Sequence, residues 1–163
     1  MMISIDLDLA NKRKVTNIEL IGTITFPSSY YAHLLKGLDY TSFVPFIRLK
    51  PTRMFFIYWQ PITENSLTLD YLADLRARLV IKYYKGDLIR VKDYTISNLN
   101  GHEAHILTGN WENKNDRLKG IFELLALSHN DFLILFDIST TDYDFNGDAM
   151  KELRQIRKSL ILS

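Results

Sequence analysis

Residues 100–140 read NGHEAHILTGNWENKNDRLKGIFELLALSHNDFLILFDIST. The spacing predicts a meander of three long antiparallel strands. Asn100-Gly101 opens it, because both residues tolerate the positive φ angles of a tight hairpin. His129-Asn130-Asp131 supplies the second bend. Phe132-Leu-Ile-Leu-Phe136 is apolar at consecutive positions and so on both faces. Such a strand is expected to be central, with packed material above and below it.

Working outward toward the C-terminus, Ala149, Leu153, Ile156 and Leu160 recur at spacings of four, three and four, predicting an amphipathic helix over about 148–160. Arg154, Arg157 and Lys158 crowd its last turns, where positive charge favours the helix dipole. Before the meander, Leu88 to Ser97 reads as the strand leading into the Asn100-Gly101 turn. Ahead of that, Leu69, Leu72, Leu75, Leu79 and Tyr83 mark the apolar stripe of a helix over 69–84. Thr68 suits its N-cap, Asp70 its first turn and Gly86 its end. Arg76, Arg78 and Lys82 are expected to face solvent or a partner.

The N-terminal third reads as shorter strands. Ile3, Ile5, Leu7 and Leu9 alternate with Ser4, Asp6 and Asp8, the period of a half-buried strand. Asn11 to Lys14 is a polar turn whose Lys12, Arg13 and Lys14 read as solvated charge. Val15 to Phe26 is expected to be one second strand. Ser29 to Leu38 is expected to make a helical turn or two, closed at Gly37. Phe43 to Leu49 and Arg53 to Gln60 read as strands, with Pro51 in the turn between them because proline cannot donate to a ladder.

Composition narrows the class. The chain has 163 residues, of which 47% are hydrophobic, enough for one sizeable core, and a single domain over 1–163 is expected. Lys plus Arg number 20 against 19 Asp plus Glu, a net charge of +1. That balance argues against a nucleic-acid partner held by a large basic field. There is no cysteine, so disulfides, thiolate nucleophiles and Cys-ligated metals are excluded. The alternating N-terminus is unlike a secretory leader, and no run approaches the ~20 apolar residues of a membrane helix. A soluble cytoplasmic protein with no membrane partner is expected.

The order strands, helix, meander, helix resembles the PsbP/Mog-like family. The likeness rests on Thr25-Phe26-Pro27 closing an early strand, Asn100-Gly101-His102-Glu103-Ala104 leading into the meander, and Leu153, Ile156, Ser159 and Leu160 near the end. The resemblance implies an α+β fold: a mainly antiparallel sheet covered by helices on both faces, an α/β/α sandwich. Relatives include an accessory subunit of photosystem II, a nuclear factor acting on the GTPase Ran, and chaperones of bacterial secreted effectors. It therefore implies binding or assembly rather than turnover, and no partner-contact residue of those relatives carries over.

The residues themselves offer no enzyme signature. The histidines are His33, His102, His105 and His129. His102 and His105 are spaced like a metal pair, but on a strand an odd spacing sends them to opposite faces. His129 reads as a solvated turn residue. Ser28, Ser29, Ser128 and Ser139 lack a nucleophile-elbow context, and no Gly-rich phosphate loop is present. Catalytic, cofactor-binding and metal residues are each expected to be none, and so are cofactors.

One stretch does look like a metal site. Asp142, Asp144, Asn146 and Gly147 match the start of a calcium loop. Its twelfth position, where a bidentate Glu belongs, is Leu153, and Glu152 points about 100° away around the helix. A polar turn without physiological calcium affinity is the expectation.

Two function classes follow. The first is a non-catalytic protein-binding module, a chaperone or assembly factor. The alternative is a small-molecule carrier or an enzyme with an aromatic-lined cavity beside Tyr30, Tyr31 and Trp59; as core residues these aromatics need no such role.

Overall fold

The computed structural model describes residues 3–36, 41–47, 52–64, 66–83, 87–115 and 117–163, with side chains described outside 31–51 and 80–88. The elements run β1 Ile3–Asp8, β2 Arg13–Ile18, β3 Gly22–Pro27, β4 Tyr31–Lys36, β5 Thr41–Ile47, β6 Arg53–Pro61 and α1 Leu69–Tyr83. They continue with β7 Asp87–Leu99, β8 His102–Asn113, β9 Leu118–His129, β10 Phe132–Thr140, α2 Asp148–Lys158 and β11 Ile161–Leu162. Among the described residues they form a four-stranded sheet, β1-β2-β3-β11, and a seven-stranded sheet, β4-β5-β6-β10-β9-β8-β7. All their pairings are antiparallel.

The meander of β8, β9 and β10 is as the sequence implies. Asn100 and Gly101 have φ of 50° and 89°, and Asn130 and Asp131 have 49° and 63°. Two consecutive positive φ angles match the right-handed twist of the paired strands. His129 accordingly ends β9 and does not sit in the turn. β10 lies between β6 and β9, and every residue from Leu133 to Thr140 is buried.

Alternate residues of β10 belong to different clusters. Ile134, Phe136 and Ile138 share one with Ile18, Ile24 and Phe26 of the small sheet and with Met150, Leu153 and Ile156 of α2. Leu133 and Leu135 share the other with Leu72, Leu75 and Leu79 of α1. Thr68 caps α1, donated to by Tyr71 N at 3.3 Å. Leu69, at the first turn, stays exposed. Gly86 lies outside the described residues, as do the side chains of Tyr83 and Lys82.

Several expectations need correction. Val15 to Phe26 is two strands, because the chain turns at Glu19-Leu20-Ile21, where Leu20 takes φ 65° and Ile21 N donates to Ile18 O at 3.0 Å. Gly22 then adopts φ 144°, and Ile161 O of β11 comes within 2.0 Å of where a Cβ would stand. Only glycine tolerates both demands. The expected helical turn at Ser29 to Leu38 is instead β4, paired with β5 from Tyr31↔Phe46 to Lys36↔Thr41. The ladder to β5 satisfies the backbone groups on that side of the strand, and an isolated helical turn is marginal. Gly37 and Pro51 lie outside the described residues. Pro45 lies within β5, whose pairing with β6 skips Val44 and Pro45, as a residue without an N–H requires.

The strand expected over Leu88 to Ser97 extends to Asp87–Leu99, with a register shift between Val91 and Asp93. Among the described residues, no helix is long and apolar enough to cross a membrane.

Leu153 is fully buried between α2 and the sheets. Leu153→Ala is expected to lower unfolding free energy by about 2–5 kcal/mol, read by denaturant titration. A loss below about 0.5 kcal/mol, the range of ordinary surface changes, would show that α2 is not part of the core.

Candidate interaction surface

β1 departs from the half-buried expectation. Its inward row pairs Ile3 with Ile18, Ile5 with Thr16 and Leu7 with Lys14. Ile18 and Thr16 are buried, and Ile3 packs on the core. The row then runs out over open surface: Ile5 is 44% exposed and Leu7 61%, and Leu9, in the turn that follows the strand, is 81% exposed. Only the end of the row that meets Ile18 reaches the core. The hydrophobic alternation is intact, but no layer within the described chain lies over it.

The outward row carries Ser4, Asp6 and Asp8. Asp8 accepts from Asn11 N and Nδ2 at 3.2 and 2.8 Å and lies 3.8 Å from Arg13. The Asn11 hydrogen bonds, with a smaller contribution from Arg13, hold its carboxyl below the ordinary range. Among the described residues, Asp6 has no ion-pair partner. Lys14, expected as solvated charge, turns inward, its Nζ donating to Tyr30 O at 2.5 Å.

Of the other sheet edges, β4 ends in Lys36 and its side chains lie outside the described residues. β11 has two residues. β7 is long, but its register breaks around exposed Lys92. Bulges, lysines and shortness are the usual devices that keep an edge from pairing with another chain. β1 is outermost in its sheet, and its six residues contain no lysine, proline or register shift.

The remaining candidates are held internally. Arg76, expected to face solvent or a partner, is buried. Its Nε lies 2.6 Å from Asp137 Oδ2, its Nη2 donates to Oδ1 at 3.3 Å, and its guanidinium stacks 3.5 Å above the Phe122 ring. A cation in an otherwise apolar cluster is retained because the carboxylate and the ring meet it there. Burial pushes the Asp137 carboxyl up, with Arg76 pulling against it. Arg78 pairs with Asp74 on the surface.

Glu123 of β9 accepts from Arg154 Nη2 at 2.8 Å and from Arg157 Nη2 at 2.5 Å. Burial alone would raise its carboxyl, but the two guanidiniums more than offset that and hold it below its ordinary value. Arg157 is therefore a buried tie between α2 and the sheet as well as a terminal charge on the dipole. A carboxylate inside an apolar strand run, as in GIFELLAL or FLILFDIS, is the sequence signal that could have found both pairs.

His105 is buried, with Nε2 at 3.0 Å from Glu103 Oε1 and Nδ1 at 2.5 Å from the Tyr94 hydroxyl. A carboxylate only accepts, so Nε2 carries the proton, and in the neutral ring Nδ1 accepts from Tyr94. His102 packs edge-on against His129, ring centroids 5.5 Å apart, and His129 Nε2 lies 2.7 Å from Ser163 O. The structure thus does not bring His102 and His105 together: His105 consorts with Tyr94, which packs beside α1, while His102 neighbours Ala104 of the α2 cluster. The side chain of His33 lies outside the described residues.

Tyr30 and Trp59 are buried in the α2 cluster with Phe26 and Phe55, and the Tyr31 side chain is not described. Ser28, Ser29 and Ser128 are exposed, while Ser139 is buried in β10. In the calcium-like stretch, Asp142 accepts from Asp144 N at 3.3 Å and Asp144 from Asn146 N at 2.9 Å, ordinary turn chemistry. Glu152 is paired with Arg53 at 2.7 Å, and Leu153 is core.

No family model matches the sequence, and no curated protein sequence matches it either. The fold does have solved neighbours. The solution structure of cyanobacterial PsbP (CyanoP) from Synechocystis sp. PCC 6803 is similar over 99% of this chain and 92% of that one, at 14% identity and a TM-score of 0.53. A Pseudomonas aeruginosa protein of unknown function is similar over 99% and 97%, at 10% identity and a TM-score of 0.44. The chain resembles the PsbP-like scaffold, and at these identities the likeness is one of fold.

Two outcomes test the buried charges. Arg76→Ala strands the Asp137 carboxylate and is expected to cost about 3–5 kcal/mol in denaturant unfolding. Adding Asp137→Leu should recover much of it; a double-variant loss equal to the sum of the two single losses would show no coupling. Because the folded-state pKa of Glu123 is depressed, its contribution is full above the unfolded value and is lost as pH falls through the folded one. Melting temperature should therefore fall less steeply below pH 4.5, the ordinary value of this carboxyl, in Glu123→Gln than in the wild type.

Proposed function

We propose that this chain is a non-catalytic protein-binding module, a chaperone or assembly factor of the cytoplasm, that receives its partner along β1. It is read as a single domain, an α/β/α sandwich in which α1 covers one face of the large sheet and α2 with the small sheet covers the other. The division of the core into an α1 cluster and an α2 cluster, fed by alternate residues of β10, supports that architecture.

The observation that carries the function is the exposed pair Ile5 and Leu7 on an outer strand without lysine, proline or register shift. Single exposed apolar residues are ordinary, but a row continuous with the core face, beside unpaired backbone donors and acceptors, suits strand addition. The ladder would supply affinity and the apolar row would select alternate side chains.

Affinity capture from the native cell, with the wild type and Leu7→Asp compared side by side, tests this. Leu7 is exposed, so the variant should melt within about 0.5 kcal/mol of the wild type. A partner retained by the wild type and lost by the variant is the expected result. A partner profile unchanged by Leu7→Asp would overturn the assignment to β1.

A further inference from the structure

We infer that the segment β1 receives belongs to a different protein and is an extended strand alternating apolar with basic side chains, not a second copy of this chain. The inference rests on the reading of β1 as the docking edge and adds the chemistry of its occupant.

The pleat sets the first requirement. Ile5 and Leu7 share one face of β1, and Asp6 and Asp8 the other. A strand added beside β1 continues the pleat, so its alternate residues lie next to one row or the other. Apolar residues are needed beside the exposed Ile5 and Leu7.

The opposite face sets the second. Asp8 is already bound by Asn11 and lies near Arg13, but Asp6, in mid-strand, has no ion-pair partner among the described residues. Opposite charges on directly facing positions stabilise a strand pair, and like charges destabilise it. The occupant's residue beside Asp6 is therefore lysine or arginine.

That same face disfavours self-pairing. In an antiparallel pair of β1 strands centred on Asp6, the two Asp6 carboxylates face each other. Centred on Leu7, Asp6 of each copy faces Asp8 of the other. Centred on Ile5, Asp6 faces Ser4 and lies diagonal to the second Asp6, roughly 7–8 Å away at the backbone. Each of these registers keeps the apolar rows together and sets carboxylates against one another, with no cation from β1 to offset them.

Two short synthetic peptides decide the matter, one alternating valine with lysine and one alternating valine with glutamate. Each is titrated into the full chain, with backbone amide shifts and peptide anisotropy as readouts. The lysine peptide is expected to shift amides within 3–9 and to bind roughly three- to tenfold more tightly than the glutamate peptide at low salt. The gap should narrow with added salt, and Asp6→Lys should reverse the preference. If the glutamate peptide binds wild type equally or better, or if sedimentation shows self-association abolished by Leu7→Asp, the proposed occupant is wrong while β1 stands as the docking edge. If neither peptide moves the amides of 3–9, both the occupant and the β1 reading fall.

Discussion

A strand that is apolar on both faces cannot be stable at the surface of a sheet, and β10 is such a strand. With β6 on one side and β9 on the other, its backbone is fully laddered, and its side chains then need cover above and below. The two helices and the small sheet supply that cover. Leu72, Leu75 and Leu79 meet one set of alternate residues, while Met150, Leu153, Ile156 and the small sheet meet the other. The cover also explains why a two-residue strand, β11, matters: it follows α2 directly and ties the end of the chain to Gly22 and Thr23.

Hydrophobic cover is not directional, and two buried carboxylates add direction. Asp137 of β10 and Glu123 of β9 lie one cross-strand step apart, since Asp137 pairs with Leu124 and Glu123 with Ile138. Asp137 is met by Arg76 from α1, and Glu123 by Arg154 and Arg157 from α2. Sliding either helix would break its packing and also strand a charge. The two pairs respond differently to their surroundings. Two guanidiniums outweigh burial at Glu123, whereas burial outweighs one guanidinium at Asp137.

The same economy leaves β1 uncovered. The small sheet is anchored to the core through Ile18, Ile24 and Phe26, which lie on β2 and β3. β1 is attached by its ladder and by Ile3, and the rest of its inward row projects beyond the packed region. Beyond Ile3 the edge can be filled from the solvent side, where Ile5 and Leu7 are already exposed. On the proposal that β1 receives a partner, stability and recognition lie in separate parts of the chain.

The sequence by itself determined the meander, its two tight turns, both helices and the burial of Leu133 to Phe136. Those features follow from local periodicity and from residues that tolerate positive φ, and neighbours in sequence decide them. Only the tertiary structure decided the rest. Tyr31 to Lys36 became a strand because β5 offers it a ladder, which no local propensity encodes. Val15 to Phe26 turns at Leu20, and Gly22 just after the turn lies close to β11, more than a hundred residues away in the chain. Arg76 carries the same side chain as a surface arginine and went inside because Asp137 and Phe122 await it there. The alternation of Ile3, Ile5 and Leu7 fixed which residues share a face, while Leu9 fell in the turn; whether that face is covered depends on how far the layer opposite extends, and Ile5 and Leu7 are exposed. Periodicity records which side chains point together, but burial is a property of what lies across from them.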